Sequence, residues 1–229
     1  MTGPHQPILG FPGRQGDAEP GPPPGPGDVC DGQQWSIEGP TADWSEGRFE
    51  GCYFAAEVQR LNLIGTRIVT SRLGPVRADV IDARGSSWRT VAADQLHSAS
   101  LDLSEATISG LSVRGSRLGY VNLRAAQVAD LLLTGCLIDT LDCADAEWER
   151  VALVDCRVRE LIVRRARCRD VDLRGAELSA LSGTSHLAGC AVTPAQWTDL
   201  SPSLAAELRI MVLEPQGVDA PGDPDTLRE

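Results

Sequence analysis

The sequence predicts an all-β solenoid, a chain that turns a corner every five residues and stacks coil upon coil. Three observations predict it. Apolar residues return at 103, 108, 113, 118, 123, 128, 133 and 138 as Leu, Ile, Val, Leu, Leu, Val, Leu and Ile, and the series continues through Cys143, Trp148, Leu153, Val158, Val163, Cys168, Leu173 and Leu178. Two residues before each of these stands a second apolar or small residue, from Leu101, Ala106, Leu111 and Ser116 through to Val171 and Ala176. From 101 to 181 this second position alternates a bulky aliphatic with Ala, Ser or Cys, a superperiod of ten residues. A helix loses phase with a five-residue period within two turns and a strand alternates every two, so neither explains the series. Walls that alternate large and small side chains fill a narrow interior without voids.

Between the inward positions the residues are mostly Asp, Arg, Ser, Thr, Glu or Gly. Units such as Leu101-Asp102-Leu103, Val121-Asn122-Leu123 and Val171-Asp172-Leu173 resemble the A-(D/N)-L-x-x unit of the pentapeptide-repeat family. That resemblance implies a right-handed quadrilateral β-helix with four pentapeptides to each square coil. The register runs back from 188 to 58. Ala42-Asp43-Trp44, Gly47-Arg48-Phe49 and Cys52-Tyr53-Phe54 fit it only after a shift of one, which places a one-residue deletion near Ala55. Residues 42 to 190 then hold about 30 units, or about 7.5 coils at ~4.8 Å per coil. The least regular stretch is 76–98, whose centres are Ala78, Ala83, Trp88, Ala93 and Ser98. Either the Trp88 ring fills the space its small neighbours leave, or the coil is distorted there, near Pro75, into a binding feature.

The chain divides as follows. Residues 1–34, with the run PGPPPGPG, read as a disordered tail. Residues 35–55 form an N-terminal cap and the first repeats, and residues 56–190 the β-helix. Residues 191–213 form a short α-helical cap over the last coil, whose edge needs covering. Thr193-Pro194 and Ser201-Pro202 each pair an N-cap residue with Pro at the first helical position, so two short helices are expected. Trp197, Leu200, Leu204 and Leu208 are expected to pack down, with Ile210 and Val212 forming a last strand or a surface for a second copy. Residues 214–229 read as an acidic tail.

Composition bounds the chemistry. There is no Lys, which removes Walker A loops, Schiff-base chemistry and lysine nucleophiles. Three His, at 5, 97 and 186, are too few and too scattered for a zinc set. The seven Cys fall mostly at inward positions and none forms a C-x-x-C pair, which reads as reduced thiols in a cytoplasmic protein. No signal peptide and no membrane-spanning run is seen. No cofactor, metal or catalytic set is expected.

The net charge of −11 is unevenly placed: residues 1–50 carry −6, residues 191–229 carry −5, and the body between is neutral. Six acids and no Arg lie in 130–149, whereas seven Arg and two acids lie in 150–169. Stacking one coil on the next pairs Asp130 with Arg150, Asp139 with Arg159, Asp145 with Arg165, Glu147 with Arg167 and Glu149 with Arg169. These Arg are therefore expected to neutralise the coil beneath rather than to bind phosphate.

Three features remain as candidate sites. Asp82, Asp102, Asn122 and Asp142 form an acidic column, read either as turn-capping side chains on a solvated face or as a mimic of DNA phosphates. Arg77, His97, Arg117 and Arg157 line an adjacent column interrupted by Leu137. Leu132, Leu137, Ala152 and Ile162 occupy outward positions and read as an apolar interaction patch.

Three functions are compatible with this reading. The first is a non-catalytic interaction module or scaffold, a rigid rod binding a protein partner. The second is implied by the resemblance: some pentapeptide-repeat proteins bind DNA gyrase as DNA mimics, protect it from quinolones or toxins, and dimerise through a C-terminal cap. Asp82, Asp102 and Asp142 would carry that mimicry here, with no direct contact to nucleic acid. The third is an accessory protein or enzyme of a biosynthetic pathway.

Overall fold

The five-residue period is realised as a parallel β-solenoid. The computed structural model describes residues 3–10 and 18–213. Eighteen strands, from Glu19–Pro20 to Cys190–Ala191, join in one sheet whose pairings are all parallel; it winds through about eight turns. One helix, Pro194–Glu207, follows the last coil.

The last pairing, Val171 on Cys190, spans nineteen residues, but from Ala56 to Ile162 each paired residue stacks on the one twenty positions later, as in Ile108 on Val128 and Val128 on Trp148. Before that the coil is nineteen residues long: Trp35 stacks on Phe54 and Phe49 on Ile68. The register changes between Phe54 and Ala56, where Gly74 and Pro75 together stand opposite Ala55. Gly74 has φ of 126°, and a Cβ there would lie 1.9 Å from the Asp94 carbonyl oxygen, so only glycine fits this bulge.

The core is a continuous column. Both inward series are buried, Leu101, Ala106, Leu111 and Val121 in one and Leu103, Ile108, Val113 and Leu123 in the other. Trp44, Phe49 and Phe54 fill three successive sides near the N-terminal end, with Trp35 beneath Phe54 and ring centroids 5.2–6.3 Å apart. The irregular stretch keeps its place in the stack, and Trp88 is buried with its Nε1 donating to Ser86 Oγ at 2.6 Å.

The small inward residues do more than save space. Ser71, Ser116, Cys136 and Cys156 each donate to the carbonyl two residues earlier, at 2.7, 3.1, 3.5 and 3.3 Å. A hydroxyl or thiol thus satisfies a corner carbonyl that an alanine would leave to its neighbours.

Four expectations are corrected. The coil begins before residue 35: Val29–Asp31 pairs with Arg48–Glu50, Glu19–Pro20 pairs with Gln33 and Gln34, and Trp35 Nε1 donates to the Pro22 carbonyl at 2.6 Å. Residues 3–10 lie against the rod rather than forming part of a disordered tail, because Asp130 and Asp170 accept their main-chain N–H groups. The cap is one helix, not two. Pro202 lies inside it, and the Thr198 carbonyl that a residue-202 N–H would have bonded instead accepts Ser201 Oγ at 2.8 Å. Ile210 and Val212 form no strand; they follow the helix, exposed. The acidic segment 214–229 lies outside the described residues.

Candidate interaction surfaces

Each side of the rod repeats its side chains at the strand spacing, so a functional surface is a column. The Asp82–Asp102–Asn122–Asp142 column is assembled in one line. Its carboxylates, however, cap turns. Each of Asp102, Asn122 and Asp142 accepts the N–H two residues on, at 2.9, 3.1 and 3.0 Å. The following four-residue turns place Glu105, Ala125 and Asp145 at positive φ. Arg84 grips both oxygens of Asp82, Asn122 Nδ2 donates to Asp102, and Arg124 and the Tyr120 hydroxyl reach Asp142. Asp82 and Asp142 are buried, at 9% and 4% exposure, which leaves little of their charge on the surface. Burial and the Asp142 carboxylate push the Tyr120 phenol up.

All five stacked charge pairs form. Arg150 meets Asp130 at 2.7 and 2.9 Å, Arg165 meets Asp145 at 2.6 Å twice, and Arg159 stands 3.9 Å from Asp139. Arg167 pairs with Glu147 and Arg169 with Glu149. Five of the seven Arg of this coil are thereby paired with the acid-rich coil below it, while Arg157 pairs with Glu177 of the next coil at 2.7 Å.

The apolar patch is divided by the square section. Leu132 and Ala152 stack on one side, Leu137 stands on the next and Ile162 on the third, because every five residues turn a corner. Leu137 is 39% exposed, whereas outward-facing Ala152 is only 2% exposed.

Arg77, His97, Arg117 and Leu137 stack on the side that carries a concavity of about 770 Å3. Its floor includes the small residues Ala78 and Ser98, and its far rim is lowered at Ala99 and Gly119. A Cβ on Gly119 would come within 2.5 Å of the Ala99 carbonyl oxygen. The irregular stretch of the sequence therefore surfaces as a hollow. Asp79 and Asp139 bracket it, so the hollow is cationic only at its middle.

The cap docks by polar contacts that the apolar pattern did not show. Gln196 Nε2 donates to the carbonyls of Leu173 and Ala176 at 2.8 and 2.7 Å, satisfying the last coil's edge. Its own N–H and Oε1 complete a capping box with Thr193. Glu207 accepts from Thr184 and Ser185, which holds its carboxyl down at about 2. Of the four expected packing residues, Leu200 is buried and Leu204 half-buried, while Trp197 and Leu208 are exposed at 52% and 51%. With so much of the contact polar, the apolar edge of the helix and the chain after it, Ile210 to Leu213, remain uncovered.

The cysteines are all free. Cys143 is buried, and burial pushes its thiol well up. Among the described residues no group of three or more His, Cys, Asp or Glu is arranged to hold a metal, and no helix is long and apolar enough to cross a membrane.

No protein-family model matches the chain, and no curated protein matches it. Among solved structures it is similar to QnrB1, a plasmid-mediated fluoroquinolone resistance protein, at 17% identity over 82% of this chain and 93% of that one, with a TM-score of 0.29. So loose a superposition does not extend to function.

Proposed function

We propose that the chain is a non-catalytic interaction module, a rigid rod whose ends and sides bind protein. The observation that carries this reading is the apolar edge of the cap, where Trp197, Leu208, Ile210, Met211, Val212 and Leu213 are all more than half exposed. Clustered apolar exposure of this kind marks a surface that a partner covers. The partner with a matching apolar edge is a second copy of the chain. Light scattering on the purified protein tests this: the wild type should run at twice the chain mass of 24.4 kDa, and Trp197→Asp with Ile210→Asp at the single mass. A wild type that stays monomeric at 100 μM would assign the edge to a different protein or to none.

DNA gyrase is the partner that the family resemblance implies. A supercoiling assay with the protein titrated in, with and without a fluoroquinolone, tests it. Charge reversal at Asp102, the carboxylate of the column with the fewest Arg contacts, should abolish any effect if the column acts as a phosphate mimic.

A further inference from the structure

Residues 3–10, PHQPILG among them, run along the outside of the rod against one corner column. His5 N–H donates to Asp170 Oδ1 at 3.3 Å, Gln6 Nε2 to Asp172 Oδ2 at 3.4 Å, and Ile8 N–H to Asp130 Oδ1 at 2.8 Å. Gly10 lies on Thr90, where an added Cβ would be 2.6 Å from Cγ2. An added Cβ on Gly110 would sit 3.9 Å from the Ile8 carbonyl oxygen. The segment therefore crosses the coils in descending order, from Asp170 past Asp130 and Gly110 to Thr90.

The spacing of the segment fits the spacing of the coils. Each main-chain donor directly follows a proline, Pro4 before His5 and Pro7 before Ile8. Proline every third residue favours a polyproline II helix, which rises ~3.1 Å per residue and about 9 Å per three-residue turn. Asp170 and Asp130 stand two coils apart, about 9.6 Å at the ~4.8 Å spacing of strands. One turn of the segment thus matches two coils of the rod.

The surface beneath shares its left-handed corners with other columns, such as Glu105, Ala125 and Asp145, and differs from them in the outward residues beside the corner. The corner residues Thr90, Gly110, Asp130, Arg150 and Asp170 all have positive φ. The outward positions beside them, Ser112, Leu132 and Ala152, are small or apolar, and Ser112 and Ala152 are buried although they point away from the core. The Ser112 Oγ, 7% exposed as a residue, has no hydrogen-bond partner among the described residues. The occupant is held lightly: Ile8 is 73% exposed, and Pro4 and Pro7 are only half-buried.

We propose that this side of the rod is a docking groove for proline-containing extended segments of P-x-x-P spacing, occupied in the resting protein by residues 3–10 and open to a partner's segment of the same chemistry. Recognition is by the Asp130 and Asp170 carboxylates, which accept two main-chain N–H groups one polyproline turn apart. Arg150 braces Asp130, so the acceptor is fixed before the segment arrives. The groove lies on the side of the rod and is independent of the cap edge.

The test uses full-length protein. Ile8→Pro removes the donor to Asp130 and loosens the tethered segment. A fluorescent peptide of sequence TGPHQPILG, titrated by anisotropy, should bind Ile8→Pro at least tenfold tighter than the wild type, whose own segment competes as a tethered ligand. Adding Asp130→Ala, which leaves no acceptor for the Ile8 N–H, should remove that binding, as should a peptide with the prolines moved out of three-residue spacing. Equal binding to wild type and Ile8→Pro, no binding to Ile8→Pro at millimolar peptide, or binding indifferent to proline spacing would each overturn the proposal. Amide exchange supplies a readout free of peptide: the Ile8 N–H should be protected in the wild type and lose protection in Asp130→Ala, and an Ile8 N–H that exchanges freely in the wild type overturns it too.

Discussion

Asp130 and Arg150 stand one above the other in successive coils and meet through two hydrogen bonds, Nε to Oδ1 at 2.7 Å and the terminal nitrogen to Oδ2 at 2.9 Å. The planar fork of Arg matches a carboxylate in this way and fixes register as well as contributing energy. Asp130 is only 8% exposed, so the pair is more than a surface decoration. Asp130→Ala should cost about 2 kcal/mol in urea unfolding, because it leaves a half-buried guanidinium with fewer partners. The exposed pair of Arg165 and Asp145 should cost far less when broken, and exchanging its two charges should restore the original stability.

Acid should act on the cap first at Glu207. Hydrogen bonds from Ser185 and Thr184 hold its carboxyl down at about 2. A carboxyl depressed on folding adds stability that is present above its ordinary pKa, about 4.3, and lost as pH falls through the folded value. Arg150 acts on Asp130 in the same direction. Fluorescence of Trp197 on the cap should hold steady down to about pH 4.5 and change below it, toward pH 2. Glu207→Gln should flatten that change while leaving the pH 7 spectrum of the coils unaltered.

The Asp/Asn column separates charge from hydrogen bonding. Asn122 already occupies one rung and caps its turn as the aspartates do. Asp142→Asn keeps the acceptor for the Ala144 N–H and should cost about 1 kcal/mol, through the weakened Tyr120 and Arg124 contacts. Asp142→Ala removes all three and should cost about 2–3 kcal/mol. Equal costs would mean that the charge, not the turn, is what the position supplies.

Two buried tryptophans on one side of the rod differ in a way that can be engineered. Trp88 donates to Ser86 Oγ, and Ser86 in turn donates to the Ala83 carbonyl. Trp148 has Ala146 at the equivalent place, and its indole N–H is buried without a partner among the described residues. Ala146→Ser should supply the missing acceptor and raise stability by about 1 kcal/mol, read as a higher urea midpoint with unchanged slope.

Ala125 is exposed and holds φ of 55° in the turn closed by the Ala126 N–H to the Leu123 carbonyl at 3.1 Å. A left-handed conformation costs a non-glycine residue about 1–2 kcal/mol, and glycine's extra chain entropy returns about 0.5–1. Ala125→Gly should therefore stabilise by about 0.5–1 kcal/mol. A fall in the midpoint would show that the strain is relieved elsewhere in the coil.

The interior was legible because side-chain size repeats where the backbone does. Leu101, Ala106 and Leu111 announce inward positions and alternating walls, and the charge pairs followed from adding twenty to a residue number. The nineteen-residue coils were visible as a slip near Ala55, though the matching bulge at Gly74 was not. The surfaces were harder. Leu132 and Ile162 look alike in sequence, but the square section sets them on different sides. The segment His5–Ile8 docks through main-chain N–H groups, which every sequence has, so its composition suggested disorder. Gln196 docks the cap through an amide on edge carbonyls, and that left Trp197 and Leu208 outside, against the apolar pattern.

A stack of coils contacting only their neighbours has no built-in length: one more turn or one fewer satisfies the same local rules. Residues 3–10 are the exception, since they bridge the coils of Asp170 and Thr90 at once. They are a ruler laid along the rod. Insertion or loss of a whole turn between residues 91 and 169 would pass unnoticed by the core, yet it would pull this measuring segment out of step with its marks.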